Sequence, residues 1–189
     1  MSEQTAESTK QKISPFTWVI IGALAALMAL IGWGLANNSG ERPQVGEPAP
    51  DVQLTFFEGY GWNNQSEAML SDMQGNIVVL NIWGSWCAEC KHEADDLENT
   101  YRAFADQGVV FLGVAYLDID SNSLEFLSDY DITYPNVPDR ANVINDTFQF
   151  TGVPETVIID KDGNIAAWTI GPVKAEGLAA VIDQLLAES

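Results

Sequence analysis

The chain contains two cysteines, Cys87 and Cys90, and they stand three residues apart in Trp86-Cys87-Ala88-Glu89-Cys90. This stretch directly follows an apolar run and opens a predicted helix. The first turn of a helix has unpaired N–H groups and a partial positive charge. Both favour a thiolate at Cys87, the species that attacks a disulfide. Cysteines one helical turn apart also satisfy the Cα separation that a reversible disulfide needs. Cys87, Cys90, Ala94, Leu97, Tyr101 and Phe104 recur at alternating steps of three and four, one stripe facing a core. The stripe buries Cys90 and leaves Cys87 at the exposed helix tip. Cys87 then reads as the nucleophile and Cys90 as the resolving thiol. A pair of inert buried cysteines is the alternative, and the junction after a strand, preceded by Trp86, argues against it.

The same count excludes other chemistry. A disulfide-stapled scaffold needs more cysteines. A structural zinc site usually needs four Cys or His ligands, and His92 is the only histidine. It reads as a solvated helical residue.

Positioning the pair requires alternating strands and helices. Residues 77–83, IVVLNIW, form a near-continuous apolar run rich in β-branched residues, as in a buried central strand. A helix is predicted over 88–106 and a second strand over 109–116. Further helices are predicted over 122–130 and around 144–150. Strands at 157–160 and 165–170 flank Lys161-Asp162-Gly163-Asn164, a hairpin signal. A last helix over 174–187 places Leu178, Val181, Ile182 and Leu185 on one face. Upstream, residues 51–62 suggest short N-terminal strands. Strand–helix–strand crossover implies a parallel core, and the hairpin adds antiparallel strands. The expected class is α/β, a mixed sheet flanked by helices.

Residues 16–36 form an uncharged apolar run of 21 residues. At ~1.5 Å per residue it crosses a hydrocarbon core of ~30 Å. It is longer than the apolar stretch of a cleaved signal peptide. Lys10 and Lys12 precede it, so positive-inside bias puts residues 1–15 in the cytoplasm and the main domain outside. Residues 37–50, rich in Pro, Gly and polar residues, read as a tether to a domain over 51–189. Net charge is −19, and all of it lies beyond the apolar run, where 25 acids face 6 bases. Such a surface repels phosphate backbones and argues against nucleic-acid binding.

The segment Asn81-Ile82-Trp83-Gly84-Ser85-Trp86-Cys87-Ala88-Glu89-Cys90 resembles the active-site segment of thioredoxin-fold proteins. It is similar, more narrowly, to the membrane-tethered, extracytoplasmic TlpA/ResA/CcmG (DsbE) group of thiol–disulfide oxidoreductases. Val45 to Asp51 resembles that group's domain opening, and Leu70 to Asn76 its approach to the central strand. Gly152-Val153-Pro154-Glu155-Thr156 resembles its cis-proline segment. The resemblance implies a thioredoxin-like fold after one transmembrane helix, and a cis Val153–Pro154 bond facing the cysteines. The Val153 backbone would pair there with an extended substrate segment. Trp86, Val153, Pro154 and Glu155 are thus expected to line the substrate site.

Glu93 has two readings, a solvated surface acid or, by resemblance, a partly buried proton carrier beside the thiols. Asn81 stands where thioredoxins proper carry a buried acid, which leaves Glu93 as the better acid/base candidate. Glu89 departs from the proline that often precedes the second cysteine. Its charge opposes the helix dipole and is expected to raise the Cys87 pKa, with Glu155 adding to this. Trp83 and Trp86 are expected to pack, with Trp86 placed to shield the Cys87 sulfur. These features favour a reductant of protein disulfides; the resemblance implies apocytochrome c or its assembly factor as substrate, and a membrane electron donor is expected to recharge the pair. No cofactor is expected besides the Cys87–Cys90 pair. A copper-binding chaperone and a thiol peroxidase of similar fold are the alternatives.

Overall fold

The computed structural model describes residues 15–37 and 42–188. It divides into two units. The first contains helix α1 (Pro15–Asn37). Its segment Phe16–Trp33 has a mean hydropathy of 2.1, long and apolar enough to cross a membrane, and none of it is buried. The cytoplasmic segment expected over 1–15 lies, but for Pro15, outside the described residues.

The second unit is built on a five-stranded sheet ordered β5-β4-β3-β6-β7. Its strands are β3 (Ile77–Trp83), β4 (Val109–Ala115), β5 (Asn136–Pro138), β6 (Glu155–Ile159) and β7 (Ile165–Ile170). A separate antiparallel pair joins β1 (Gln53–Thr55) to β2 (Glu67–Met69). Strand β3 runs parallel to β4 and antiparallel to β6. All seven of its residues are buried, as a central strand covered on both faces must be. Alternation sends Ile77, Val79 and Trp83 to one face and Val78, Leu80 and Ile82 to the other. The first set packs with α2 (Ala88–Phe104), α3 (Asp120–Asp129) and α5 (Ala175–Ala187). The second packs against the β1–β2 side and α4 (Val143–Phe148).

Local signals explain most boundaries. In the β6–β7 turn the Asp160 carboxylate accepts from Asp162 N (3.0 Å) and Asn164 N (2.8 Å), and Gly163 takes φ +87°. Two strands differ from the sequence reading. The expected strand signal up to Trp62 ends at Thr55, and its partner β2 lies beyond a loop at 67–69. Strand β5 was not anticipated, since three residues ending in proline carry almost no periodicity.

The tether expected over 37–50 needs a larger correction. From Arg42 onward this stretch is part of the domain, while 38–41 lie outside the described residues. Gly46 N donates to Ile165 O (2.8 Å), Ile165 N to Glu47 O (2.9 Å) and Ala49 N to Gly163 O (2.9 Å). Strand β7 is a sheet edge with unpaired backbone groups, and the extended Pro-rich segment satisfies them.

Close approach decides one glycine. Gly113 faces Asn136 across the β4–β5 pair. The Asn136 amide accepts from Trp83 Nε1 (3.0 Å), and the Trp83 ring stacks on Phe126 at 4.5 Å. A Cβ at Gly113 would meet Asn136 Oδ1 at 1.8 Å and Trp83 Nε1 at 2.9 Å. Gly113→Ala is therefore expected to lower unfolding free energy by about 3 kcal/mol, through overpacking and a lost buried hydrogen bond. Urea titration of the purified protein checks this; a change under ~0.5 kcal/mol would contradict it.

Candidate active site

The C-terminal ends of parallel β3 and β4 lie side by side, and the site forms on the loops that leave them. After Trp83 the chain turns through Gly84-Ser85-Trp86 into α2. Asp118, just beyond β4, holds this turn: its carboxylate accepts from Ser85 N (2.7 Å) and Ser85 Oγ (2.9 Å). The sequence reading missed Asp118. The signal available was an acid immediately past a strand predicted to neighbour the cysteine-bearing one.

Cys87 is the N-cap of α2, with extended φ −85° and ψ 118°. Its Sγ accepts from Cys90 N at 3.0 Å, so sulfur fills the place usually taken by a serine or aspartate oxygen. Cys87 and Cys90 are disulfide-bonded with Cα atoms 5.3 Å apart. Cys90 is 2% exposed and Cys87 only 6%. The expected exposed tip is thus mostly covered, because the oxidised sulfur turns inward to its partner. The aromatic expectation is reversed for one residue. Trp83 is buried, whereas Trp86 is 57% exposed, its ring over Gly84 and its Nε1 donating to Leu117 O at 3.2 Å.

Glu93 is completely buried, so of its two readings the solvated one is excluded. Its Oε1 accepts from Asn81 Nδ2 (2.9 Å) and its Oε2 from Val173 N (2.8 Å). Asn81 Nδ2 also donates to Thr156 Oγ1 (3.0 Å), while Asn81 Oδ1 has no protein partner. Burial pushes the Glu93 pKa up to about 7. The bonds from Val173 and Asn81 oppose that rise, Asp96 adds to it and Lys174 subtracts. Glu93 follows Cys90 by three residues on α2, on the face packed against the sheet. Thr156 and Val173 were not foreseen as its supports, since they come from distant elements.

The Val153–Pro154 bond is cis. Val153 packs against the cluster that contains Cys87 and Cys90. Strand pairing aligns Ile82 with Glu155, which brings Pro154 level with the end of β3 where the cysteine turn begins. Glu155 itself does not join the cysteines. Residues in register on adjacent strands share a face, so Thr156 lies with Asn81 on the α2 side and Glu155 with Ile82 on the other. Burial pushes the Glu155 carboxyl up, but bonds from Thr151 and Trp168 and the Arg42 charge outweigh this, and its pKa lies below the usual value. Its expected addition to the Cys87 environment is corrected accordingly: opposite faces separate the two, and Arg42 compensates the charge. His92 is exposed and 3.6 Å from Glu89, itself exposed. Among the described residues, no group of three or more His, Cys, Asp or Glu side chains is arranged to hold a metal ion.

Comparisons with known proteins agree with the fold. Residues 45–168 match the AhpC/TSA family. The chain is 30% identical over 165 residues to the thiol-disulfide oxidoreductase ResA of Geobacillus thermodenitrificans, covering 86% of this chain and 91% of that protein. Among solved structures it resembles a thioredoxin-family thiol:disulfide interchange protein from Chlorobium tepidum, with TM-score 0.66 and 21% identity, covering 78% of this chain and 99% of the other. A secreted Mycobacterium tuberculosis disulfide oxidoreductase homologous to DsbE gives TM-score 0.62 at 22% identity, covering 71% and 96%. With a thioredoxin-like fold, a bonded Cys87–Cys90 pair at a helix cap and a cis proline beside it, the chain belongs to the AhpC/TSA family as a thiol–disulfide oxidoreductase of the ResA/DsbE type.

Proposed function

We propose that this protein is a membrane-anchored reductant of protein disulfides on the outer face of the membrane, acting in cytochrome c maturation. The carrying observation is the Cys87 sulfur at the α2 cap, aimed at the Cys90 N–H, with Glu93 buried on the same helix. That N–H and the helix dipole stabilise a Cys87 thiolate once the pair is reduced. The thiolate attacks one sulfur of a substrate disulfide. A mixed disulfide forms, and the other substrate sulfur leaves as a thiolate and takes a proton. Cys90 then loses its proton to Glu93 and attacks Cys87 Sγ. The second substrate thiol is released, and the Cys87–Cys90 disulfide is regenerated. Two electrons have passed to the substrate, and a membrane electron donor must return two to the pair.

The Val153 backbone beside the cis proline is the edge on which an extended substrate segment pairs. Trp86, which is exposed beside the cysteine turn, is the other residue read as meeting substrate. The apolar helix supports the anchor, and the lysines before it support an outward-facing domain. The cytochrome reading takes support from the ResA relatives, and an apocytochrome c Cys pair or the disulfide of its assembly factor is the substrate it names.

Three outcomes are expected. Cys90→Ser in native membranes accumulates a mixed disulfide through Cys87 to a cytochrome c or its assembly factor; mass mapping that recovers only unrelated secreted proteins would sink the cytochrome assignment. Glu93→Gln slows resolution of the mixed disulfide about 100-fold at pH 7. In the wild type that step accelerates with pH through about 7, as Glu93 becomes able to accept a proton, and stopped-flow kinetics on the variant show this limb missing. Folding stability gives a third readout. Glu93 binds its proton more tightly folded than unfolded, so the protonated form's stability is fully present below about pH 4.5 and is lost as pH rises through about 7. The loss amounts to roughly 3 kcal/mol across that window. Glu93→Gln removes this slope, and denaturant titrations at pH 5 and pH 8 test it.

A further inference from the structure

A second buried carboxylate lies next to the cis proline. Glu155 is fully buried and saturated by donors. Its Oε1 accepts from Thr151 N (2.7 Å), Thr151 Oγ1 (2.7 Å) and Gly152 N (3.1 Å). These bonds fix the two residues that lead into Val153. Its Oε2 accepts from Trp168 Nε1 (2.7 Å) and pairs with Arg42 Nη2. Arg42 is held in turn, with its guanidinium carbon 4.3 Å from the centroid of the Trp168 ring and its Nε donating to Gln149 O (3.3 Å). Among the described residues Arg42 is the only cation ion-paired with Glu155. It comes from the stretch that leads in from the anchor helix, 113 residues away in sequence.

We propose that Arg42 is a positioning residue that sets the substrate-pairing edge at Val153, acting through Glu155. A buried carboxylate keeps its charge only when that charge is paired. As an anion it accepts three bonds at Oε1 and locks Thr151 and Gly152. Without Arg42 the carboxyl is left with an uncompensated buried charge. It then takes up a proton or moves toward water, and either change loosens the loop. The entry segment of the domain thereby holds the peptide-docking loop in register without touching substrate. This inference rests on the reading of Val153 as the substrate-pairing edge.

The test compares the full-length wild type with Arg42→Gln and Arg42→Lys. The substrate is an extended peptide carrying an intramolecular Cys-x-x-Cys disulfide. Arg42→Gln is expected to raise the peptide KM about tenfold, the scale of one lost charge-assisted hydrogen bond, with kcat held within about twofold because the cysteine turn is untouched. Amide exchange at Thr151 and Gly152 rises by about the same factor, read by hydrogen–deuterium exchange. Arg42→Lys keeps the charge but loses the planar stack, and its KM rises about threefold. If Arg42→Gln does not fold, the Arg42→Lys shift in KM at constant kcat carries the test alone. An unchanged KM in the folded variants, or a fall in kcat without a change in KM, overturns the role of Arg42. A wild type that reduces no peptide disulfide overturns the parent function and this inference with it.

Discussion

The site depends on a single substitution of chemistry at a helix end. Every α-helix begins with N–H groups that lack intrahelical partners, and most helices satisfy them with an oxygen at the N-cap. Here a sulfur does so: Cys87 Sγ accepts from Cys90 N at 3.0 Å. The same cap suits both states that the proposed mechanism requires. In the oxidised state it seats a disulfide that closes within one helical turn. In the reduced state it offers a thiolate the positive end of the helix. The rest of the domain keeps that cap in place. Strand β3 is buried along its whole length and delivers the turn, and Asp118 fastens the turn through Ser85.

Around this cap the sheet separates two buried carboxylates by face. Glu93 lies on the α2 side with neutral donors, Asn81 and the Val173 amide, so burial dominates and the proton is held to about pH 7. Glu155 lies on the other side with Arg42 and a set of hydrogen-bond donors, and it stays ionised. The two carboxyl groups are therefore shifted in opposite directions, Glu93 up and Glu155 down. The difference comes from their partners, since both side chains are fully buried. Asn81 is central to this division. An acid at that position would place a second negative charge against Glu93, whereas the amide donates to it.

The entry to the domain carries more structure than its composition suggests. Proline, glycine and polar residues mark a flexible link when nothing pairs with them. Here residues 46–49 run beside the exposed edge of β7, and their backbone groups are satisfied there. Arg42 then brings a charge to the far side of the sheet. The same residues would be a free tether on a domain whose edge was already covered.

The sequence by itself determined the elements and the reacting pair. Seven apolar residues at 77–83, the 3,4 spacing of the α2 stripe and the Lys161–Asn164 turn are local patterns, and local patterns follow from backbone sterics and side-chain periodicity. The position of Cys87 at a strand-to-helix junction is equally local, so its chemistry was legible. The cis bond at Pro154 was legible only through resemblance. Tertiary structure decided the environments of the acids. Whether Glu93 is wet or dry depends on Asn81, Thr156 and Val173, which converge from three separate segments. Which face Glu155 takes depends on strand register, where one residue separates the cysteine side from the opposite side. Trp86 turned outward and residues 42–50 docked for the same kind of reason. Burial and charge compensation are properties of the neighbours that folding brings together, and a sequence read in order does not hold them.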